Sequence, residues 1–359
     1  MVELRLLEVV SGFGLGGAER ALLTRMKYLP PKFEQRILNV RPEIDVLEID
    51  PQIKEYQVNN RGLSRLIKIY KFLSNNEFDL IIVRTPVDAI RFSFFQMLGA
   101  NRPAKLILEA HSNFVTKRFG LNFFLQFFLR AASSRFDLTI AVSRNVMHGP
   151  MCRGQKNVQV INLGAELVGS VQLKSTPDTA RLVFVGRLIE LKRPVWLLER
   201  LIAVRSRREL PDGALTIVGS GPLGKKVEEF ILTHNLQTTV RFVGEQKNVT
   251  PYLLAATHLV SPSTNEGLPL TFFEAKLAGL AILATPSGGG VEIFDANDRE
   301  LKSFDEVEFE DALIEIFSTP PQSLVARKKT QADSSWMSAE QCAEHYYALL
   351  TQLFSKKLS

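Results

Sequence analysis

Two cations follow an apolar run at a spacing suited to a diphosphate. The run Leu182–Val185 predicts a buried strand, Arg187 lies just beyond its end, and Lys192 follows within the same short segment. An arginine can donate two parallel hydrogen bonds to phosphate oxygens, whereas a lysine acts as a compact positive charge. Because ligands of open α/β sheets bind at the carboxyl ends of the strands, the pair predicts a diphosphate site. The alternative is that both cations are solvated surface groups.

Two carboxylates flank a predicted helix start further along the chain. Glu266 lies in the loop after the apolar run Leu259–Ser261, and Glu274 stands in an E-x7-E relation to it, on a helix that begins near Pro269. Proline is favoured at a first helical position. The free N–H groups near residues 268–271 can therefore bind hydroxyl or phosphate oxygens. A solvated surface acid is the alternative for Glu274.

A glycine-rich turn near the amino terminus is a second candidate phosphate site. Residues 12–17 fit G-x-G-x-x-G between a predicted strand, Leu4–Val10, and a predicted helix, Ala18–Tyr28. Glycines allow a close approach of the backbone, and a helix start attracts an anion. A dinucleotide site would need an acidic residue about 20 positions on, where the chain instead has Arg41, which suits only a 2′-phosphate. A tight connection without a ligand is the other alternative.

Two parallel sheets are needed to position these residues. Apolar runs alternate with helix-like segments on both sides of a polar stretch at 173–179, which predicts two doubly wound α/β domains. We predict domains at 1–168 and 169–337, with a helix at 338–357 that returns to the first domain. The predicted strands are Leu4–Val10, Phe33–Val40, Leu80–Val83, Lys105–Leu108, Leu138–Val142 and Val158–Ile161, then Leu182–Val185, Leu215–Val218, Val240–Val243, Leu259–Ser261 and Ala281–Ala284.

The composition excludes several classes of protein. A chain of 359 residues with 45% hydrophobic content can bury cores in two domains. Cys152 and Cys342 match no zinc or redox spacing, so we expect buried thiols in a reducing compartment. No apolar run reaches the roughly 18 residues that cross a bilayer. The first residues do not resemble a signal peptide, and we therefore expect a cytoplasmic protein.

Positive charge is concentrated in the first half of the chain. Residues 1–160 contain 23 Lys and Arg against 14 Asp and Glu, a net charge of +9, whereas residues 161–359 contain 21 against 24, a net charge of −3. The first half should therefore face an anionic partner. No helix-turn-helix, zinc-finger or RNP pattern accompanies the charge, which argues against nucleic acid. An anionic membrane surface or a phosphate-bearing substrate fits better.

The order of four motifs resembles that of the retaining glycosyltransferases of family 4, which have the GT-B fold. The motifs are GGAER at 16–20, VGRLIELK at 185–192, IVGSGP at 217–222 and EGLPLTFFEAKLAGLAILAT at 266–285. The resemblance covers nearly the whole chain and implies two doubly wound, Rossmann-like α/β domains that face each other across a cleft.

The sequence departs from the family pattern at two places. Arg193 stands where the family usually has glycine, and Gly290-Val291-Glu292 replaces a proline-containing loop. Both departures put the local loop geometry in question but leave the expected fold unchanged.

The resemblance also implies an activity. It implies metal-independent transfer of a sugar from a nucleoside-diphosphate sugar, UDP first and GDP next, to a glycan or lipid-linked saccharide in cell-surface polysaccharide or glycolipid assembly. No cofactor and no metal are expected, and the sequence has no D-x-D motif. The implied catalytic residues are His111, Glu266, Arg187 and Lys192, and the implied donor-binding residues are Gly16, Gly17, Arg187, Lys192, Leu268, Pro269, Leu270 and Glu274.

Individual roles follow from the same resemblance. Arg187 and Lys192 would hold the diphosphate, Glu274 the ribose and Glu266 the donor sugar. His111 follows the predicted strand Lys105–Leu108 and matches a family histidine that lies close to the donor sugar. For a lone histidine a purely structural role is the alternative. Asn162 and Gly164 are weaker candidates, because a turn explains them equally well.

An aromatic segment in the first half has two interpretations. Residues 119–136 contain six phenylalanines, and Lys117 and Arg118 precede them. The segment is too short and too basic to span a bilayer, so it either packs into the core through Phe124, Phe127 and Phe128 or lies in a membrane interface. The net charge favours peripheral binding of 117–136 to anionic lipid.

Two other functions compete with the glycosyltransferase interpretation. An NADP-dependent oxidoreductase would use the glycine-rich turn at 12–17, but no catalytic acid or base for it is evident in the second half. A non-enzymatic polyanion-binding protein would use the basic half, but would leave the paired cations and carboxylates of the second half without a role.

Overall fold

The computed structural model describes residues 4–13, 16–42, 49, 53–111, 127–168, 179–319 and 338–355. The chain divides into two compact units, one formed by Met1–Leu163 with Ala339–Ser359 and the other by Gly164–Ser338. The division lies slightly before the boundary predicted at 168/169. Each unit contains one sheet in which every pair of neighbouring strands is parallel.

The first unit is built on a seven-stranded sheet. Its strands are β1 (Leu4–Val10), β2 (Phe33–Asn39), β3 (Lys54–Gln57), β4 (Leu80–Val83), β5 (Lys105–Ala110), β6 (Phe136–Ala141) and β7 (Val158–Val160), and its helices include α1 (Gly17–Met26), α2 (Gly62–Asn75), α3 (Pro86–Met97) and α4 (Arg144–Met147). The strand order is β3-β2-β1-β4-β5-β6-β7. The central strand β4 (LIIV) is a continuous apolar run, as expected where both faces of a parallel sheet are covered.

The second unit is built on a six-stranded sheet. Its strands are β8 (Leu182–Val185), β9 (Leu215–Val218), β10 (Val240–Phe242), β11 (His258–Ser261), β12 (Ala281–Ala284) and β13 (Arg299–Glu300), and its helices are α5 (Pro194–Arg207), α6 (Gly224–Thr233), α7 (Thr250–Leu254), α8 (Leu270–Leu277) and α9 (Glu306–Ser318) within the described part. The strand order is β10-β9-β8-β11-β12-β13. Short 3-10 helices span Ser133–Arg135 in the first unit, and Glu190–Lys192 and Val291–Ile293 in the second.

The carboxyl-terminal helix α10 (Ala339–Ser355) belongs to the first unit. Its residues Tyr346, Tyr347 and Leu350 are buried in one cluster with Leu6 of β1 and Phe33 of β2. The rings of Phe33 and Tyr347 lie 5.3 Å apart. Burial of three large side chains holds this helix on the sheet, because each contributes about 1.5–3 kcal/mol of transfer free energy.

The predicted strands are all present, with ends displaced by at most two residues, and two further strands occur in the described part of the chain. These are β3 and β13, which lie at the edges of their sheets. β3 has the sequence KEYQ and is largely exposed, and both residues of β13 are exposed. Neither strand has an apolar run, so hydrophobic periodicity does not mark them.

Candidate active site

The second sheet reverses its strand order between β8 and β11. From β8 the chain continues to β9 on one side, and from β11 it continues to β12 on the other side. Ligands of open α/β sheets bind beyond the carboxyl ends of the strands at such a point. We call the residues that follow β8, β11 and β12 the second-unit edge. It contains Arg187 and Lys192 after β8 and Glu266 after β11.

The backbone after β8 is held by the segment after β9. The N–H of Gly186 donates to the carbonyl of Val218 (3.0 Å), and the N–H of Leu188 donates to the carbonyl of Ser220 (2.8 Å). Gly219 has φ +143°, and a Cβ there would overlap the carbonyl oxygen of Gly186. The glycine at 219 of the IVGSGP motif therefore permits the close backbone contact with the VGRLIELK loop.

Lys192 and Glu266 form an ion pair, although they are far apart in the sequence. Their side chains are 20% and 11% exposed, so both groups remain within reach of a ligand. Arg187 is exposed and forms no ion pair with the described residues. The structure thus places two predicted catalytic residues in contact and leaves a third one, Arg187, exposed and able to turn towards an anion.

Glu274 lies within α8, and its surroundings exclude one interpretation of the sequence. Its residue exposure is 2%, so it is not a solvated surface acid. The helix begins at Leu270, and Pro269 is the capping residue before it. The sequence predicts Pro269 at the first helical position, which is one residue too far into the helix. Leu268 is also buried. The E-x7-E block therefore combines an accessible carboxylate, Glu266, with a buried one.

A glycine loop after β12 holds the segment that carries Glu266. The N–H of Glu266 donates to the carbonyl of Ser287 (2.9 Å). A Cβ on Gly289 would overlap the carbonyl oxygens of Glu266 and Gly267. The glycine loop that leads into the departing residues 290–292 thus makes close backbone contact with the predicted site.

Arg193 occupies a left-handed backbone conformation. Its φ and ψ are 52° and 44°, and it precedes α5 as the capping residue. Glycine adopts this conformation without steric cost, which explains why the family pattern has glycine here. The guanidinium carbon of Arg193 lies 3.8 Å from the centroid of the Trp196 ring, a stabilising contact that glycine would lack.

The first sheet reverses its strand order at β1 and β4. We call the carboxyl-terminal ends of β1, β4 and β5, together with the residues that follow them, the first-unit edge, since these three strands are neighbours. Gly16 caps α1, and Gly17 is its first residue, so the predicted phosphate turn lies at this edge. The Glu19 carboxylate lies beside Gly16. Gly14 and Leu15 are outside the described residues.

His111 also lies at the first-unit edge, directly after β5. Its Nε2 atom is 2.7 Å from the Oε1 atom of Glu109, and its side chain is 14% exposed. Arg84, directly after β4, contacts the same carboxylate, with 3.2 Å between Nη2 and Oε2. His111 is therefore joined to a charged cluster that the sequence motifs did not indicate.

The cluster consists of charged and phenolic groups from separate elements of the first unit. Its members are Glu8 on β1, Arg25 on α1, Arg84 after β4, Glu109 on β5 and Tyr346 on α10. The sequence marks the two acids, since Glu8 interrupts the apolar run LLEVV of β1 and Glu109 follows the apolar run LIL of β5. Tyr346 has no local signal, because only the folded chain brings it to β5.

The cluster controls the ionisation of its members. Burial alone would raise the pKa of the Glu109 carboxyl, but the guanidinium groups of Arg25 and Arg84 hold it well below its usual range. Burial is also the main reason that the pKa of Tyr346 is well above its usual range. Glu109 is therefore an ionised acceptor at neutral pH, and Tyr346 is a protonated donor.

The weaker site candidates have turn-forming roles in the structure. The side-chain amide of Asn162 donates to the carbonyl of Val142 (3.1 Å). Gly164 has φ +66°, in the left-handed region that favours glycine. These observations support the turn explanation that the sequence left open.

The aromatic segment is described only in its last part. Residues 117–126, including Phe123 and Phe124, lie outside the described residues. The chain is helical at 127–132, where Phe127 and Phe128 are 60% and 51% exposed. The alternative in which the segment packs into the core therefore does not hold for these two rings, whereas membrane binding stays a prediction.

Further observations concern thiols, metals and membranes. Cys152 and Cys342 are buried as predicted, and burial raises the pKa of each thiol to about 11. Within the described ranges, no group of three or more His, Cys, Asp and Glu side chains is arranged to hold a metal. None of the helices in those ranges has the length and hydrophobicity to cross a bilayer.

The fold is the GT-B fold, as the family resemblance implied. The crystal structure of Anabaena Alr3699/HepE in complex with UDP-glucose matches with a TM-score of 0.76 and 17% identity, covering 98% of this chain and 100% of that chain. Residues 179–319 match the family described as Glycosyl transferases group 1. This range contains the whole second-unit edge.

Curated relatives at about 30% identity or more match roughly a third of the chain. An uncharacterized glycosyltransferase of Methanocaldococcus jannaschii is 36% identical over 108 residues, which are 30% of this chain and 26% of that protein. The UDP-Gal:alpha-D-GlcNAc-diphosphoundecaprenol alpha-1,3-galactosyltransferase of Escherichia coli is 30% identical over 106 residues, 29% of this chain and 27% of that protein. The chain thus spans little more than a quarter of the length of these relatives.

Proposed function

We propose that the chain is a retaining, metal-independent glycosyltransferase of family 4 that uses a nucleoside-diphosphate sugar. The observation that carries the proposal is the second-unit edge, where the Lys192–Glu266 pair and the exposed Arg187 lie at the reversal of strand order. All three residues lie within the segment that matches Glycosyl transferases group 1. Cations for a diphosphate and a carboxylate for sugar hydroxyls are the groups that such a donor requires.

The names of similar proteins support a choice of donor and acceptor. HepE has been crystallised with UDP-glucose, and the E. coli relative is named for UDP-Gal and a diphosphoundecaprenol acceptor. We therefore propose a UDP-sugar as donor, with a GDP-sugar second. The proposed acceptor is a glycan or lipid-linked saccharide in cell-surface polysaccharide or glycolipid assembly, on the cytoplasmic side.

The proposed reaction needs stabilisation of the leaving diphosphate. The bond between the anomeric carbon and the phosphate oxygen breaks, a bond from the acceptor oxygen forms on the same face, and the acceptor proton moves to the leaving phosphate. Arg187 and Lys192 offset the charge that develops, which is a large catalytic effect. Glu274 binds the ribose, His111 and Glu266 contact the sugar, and the Gly16 and Gly17 amides meet the diphosphate.

Nucleotide release from a panel of donors tests the proposal. UDP-, GDP- and ADP-sugars are each incubated with the protein, with and without EDTA. We expect turnover of one donor class, unaffected by EDTA, and at least a roughly 100-fold loss in Arg187→Ala. Lys226→Ala is the matched control, because it removes an exposed cation from α6 of the same unit.

Other outcomes would favour the competing functions. Abolition of turnover by EDTA contradicts metal independence. Salt-sensitive binding of polyanions without turnover of any donor favours a binding protein. A fluorescence change on titration with NADPH favours the oxidoreductase.

We also propose peripheral binding to anionic lipid through 117–136. The exposed rings of Phe127 and Phe128 and the exposed Arg130 support this, because an interfacial helix combines aromatic groups with cations. Sedimentation with anionic vesicles tests it. We expect binding at low salt that is lost at high salt and in Phe127→Ser/Phe128→Ser. Equal binding by this variant contradicts the proposal.

A further inference from the structure

The charged cluster of the first unit is more polar than stability requires. Glu8 and Glu109 are 0% and 1% exposed, and Arg25 is 7% exposed. Burying ions is costly, and apolar residues of similar volume often stabilise a protein as well or better. The two carboxylates are matched by two guanidinium groups, so the cluster is electrically balanced. A balanced buried network fixes the positions of its members, which suggests that one of them needs a fixed position.

Glu109 is the member with the most hydrogen bonds. Its Oε1 atom accepts from Nε2 of His111 (2.7 Å) and Nη1 of Arg25 (3.3 Å). Its Oε2 atom accepts from the hydroxyl of Tyr346 (2.7 Å), Nη2 of Arg25 (3.0 Å) and Nη2 of Arg84 (3.2 Å). Donors from four different parts of the first unit therefore hold both oxygens of this carboxylate.

The fixed carboxylate determines the state of the His111 ring. An ionised carboxylate can only accept, so Nε2 of His111 must carry a proton. The Nδ1 atom is buried and has no hydrogen-bond partner among the described residues. In the neutral ring this nitrogen is an acceptor, which suits a hydroxyl group of a sugar.

We infer that Glu109 is a positioning residue for His111, and that Tyr346 of the carboxyl-terminal helix completes this arrangement. The inference rests on the proposed function, in which His111 contacts the donor sugar. It adds that His111 accepts a sugar hydroxyl through Nδ1, because Glu109 occupies Nε2. It also makes α10 a part of the catalytic apparatus, since Tyr346 supplies one of the donors that hold Glu109.

Tyr346 can be tested without removing a charge, and the chain offers a matched control. Tyr346 and Tyr347 are adjacent on α10 and are 2% and 1% exposed. Of these two tyrosines, only Tyr346 donates a hydrogen bond to Glu109. Tyr346→Phe therefore releases one donor to the carboxylate, whereas Tyr347→Phe removes an equally buried hydroxyl from the same helix.

The kinetic experiment measures kcat and the donor KM of the full chain. We expect Tyr346→Phe to lower kcat about tenfold with an unchanged donor KM. The reason is that the imidazole ring of His111 is then misplaced for the reaction, while binding of the donor is unaffected. Tyr347→Phe should retain wild-type kcat. In a His111→Ala background, Tyr346→Phe should have no further effect. The inference would be overturned if Tyr346→Phe kept the wild-type kcat. It would also be overturned if Tyr346→Phe lowered kcat as much in the His111→Ala background as in the wild-type protein.

A spectroscopic experiment keeps the inference testable if no donor is turned over. The 15N shifts of the His111 ring report which nitrogen carries the proton, and loss of its signals in His111→Ala assigns them. We expect the tautomer protonated at Nε2 in the wild-type protein. A ring protonated only at Nδ1 would overturn the inference, whatever the assays show. If no donor is turned over but His111 shows the expected tautomer, the result instead counts against the proposed function.

Discussion

The first-unit edge keeps its charged groups below the surface, whereas the second-unit edge leaves its cations accessible. In the first, the Glu8 and Glu109 side chains are 0% and 2% exposed and bind arginines. In the second, Arg187 is exposed, and Lys192 is 20% exposed in its pair with Glu266. The same ion-pair chemistry thus serves different ends, because a buried pair fixes positions and an accessible one can exchange its partner for a ligand.

The two edges also differ in what holds them. Side chains from separate elements, including α10, hold the first-unit edge. Backbone contacts at glycines hold the second-unit edge, where Gly219 and Gly289 approach neighbouring carbonyl groups. We expect substitutions at the first edge to cost stability, and substitutions of the cations at the second to cost activity.

The largest expected effect is a loss of stability at the first-unit edge. Glu8→Gln removes the charge of a buried carboxylate that accepts hydrogen bonds from Arg84 (2.5 Å) and Gln35 (3.2 Å). Breaking a buried ion pair costs about 3–5 kcal/mol. Glu34→Gln on β2 is the control, since Glu34 is 28% exposed in its pairs with Arg36 and Lys54 and should lose about 1 kcal/mol or less. Equal losses in urea-induced unfolding would contradict the comparison.

The second expected effect is a loss of activity at the second-unit edge. Lys192→Met should lower turnover about 100- to 1,000-fold, since a preorganised charge contributes about 2.7–4 kcal/mol to catalysis. Its unfolding free energy should change by about 1 kcal/mol or less, because the pair is partly exposed.

Lys276→Met is the control for this prediction. Lys276 lies in the same unit, but its side chain is 1% exposed and pairs with Asp295 and Asp298 (2.6 and 2.7 Å). Its removal should lower stability by about 3–5 kcal/mol. A stability loss in Lys192→Met as large as that in Lys276→Met would remove the distinction between the accessible and the buried pairs.

The third prediction concerns the backbone contact at the second-unit edge. Gly219→Ala should lower the melting temperature, because the new Cβ overlaps the carbonyl oxygen of Gly186. Gly244→Ala is the control, since its φ is +68° but no atom lies within 4 Å of the added Cβ. The control should lose about 1–2 kcal/mol from strain alone, and Gly219→Ala about 2 kcal/mol more from overpacking. Equal losses would show that the backbone contact is unimportant.

The fourth prediction follows from the ionisation of Glu109. Its pKa in the folded protein is held well below the ordinary value of 4.5. The folded state therefore binds fewer protons than the unfolded chain, and stability falls as the pH drops below about 4.5, by up to about 1.4 kcal/mol per pH unit. Glu109→Gln should show a shallower decline between about pH 4.5 and 3. An unchanged slope of unfolding free energy against pH would contradict this prediction.

The second-unit edge was predictable from the sequence because its parts are local motifs. The segments 185–192, 217–222 and 266–285 each contain a strand end, glycines and polar groups within a short window. Neighbouring parallel strands bring such windows to one edge, so knowing the strands is sufficient to expect the contact between Lys192 and Glu266. The sequence alone could not predict that Glu274 is buried, since its burial depends on how α8 packs.

The first-unit edge was predictable only in part. His111 was found by resemblance, but its partner Glu109 appears only as one acidic residue after the apolar run LIL of β5. Arg25 and Tyr346 contact that carboxylate from α1 and α10, and Tyr346 lies 237 positions after Glu109 in the sequence. No periodicity relates positions so far apart, because their contact results from packing of α10 on the sheet.

The smallest expected effect is at Arg193, where the sequence departs from the glycine of the family pattern. Arg193 has φ +52°, and its guanidinium group stacks on Trp196. Arg193→Gly and Arg193→Ala both remove the stacking, so the difference between them isolates the backbone strain. We expect Arg193→Gly to be more stable than Arg193→Ala by about 1 kcal/mol, since only glycine adopts a left-handed conformation freely. Thermal unfolding of the two variants measures this difference. If Arg193→Ala is as stable as Arg193→Gly, the second-unit edge does not depend on backbone geometry at position 193. The contrast with the first-unit edge, which side chains hold, would then not extend to this position.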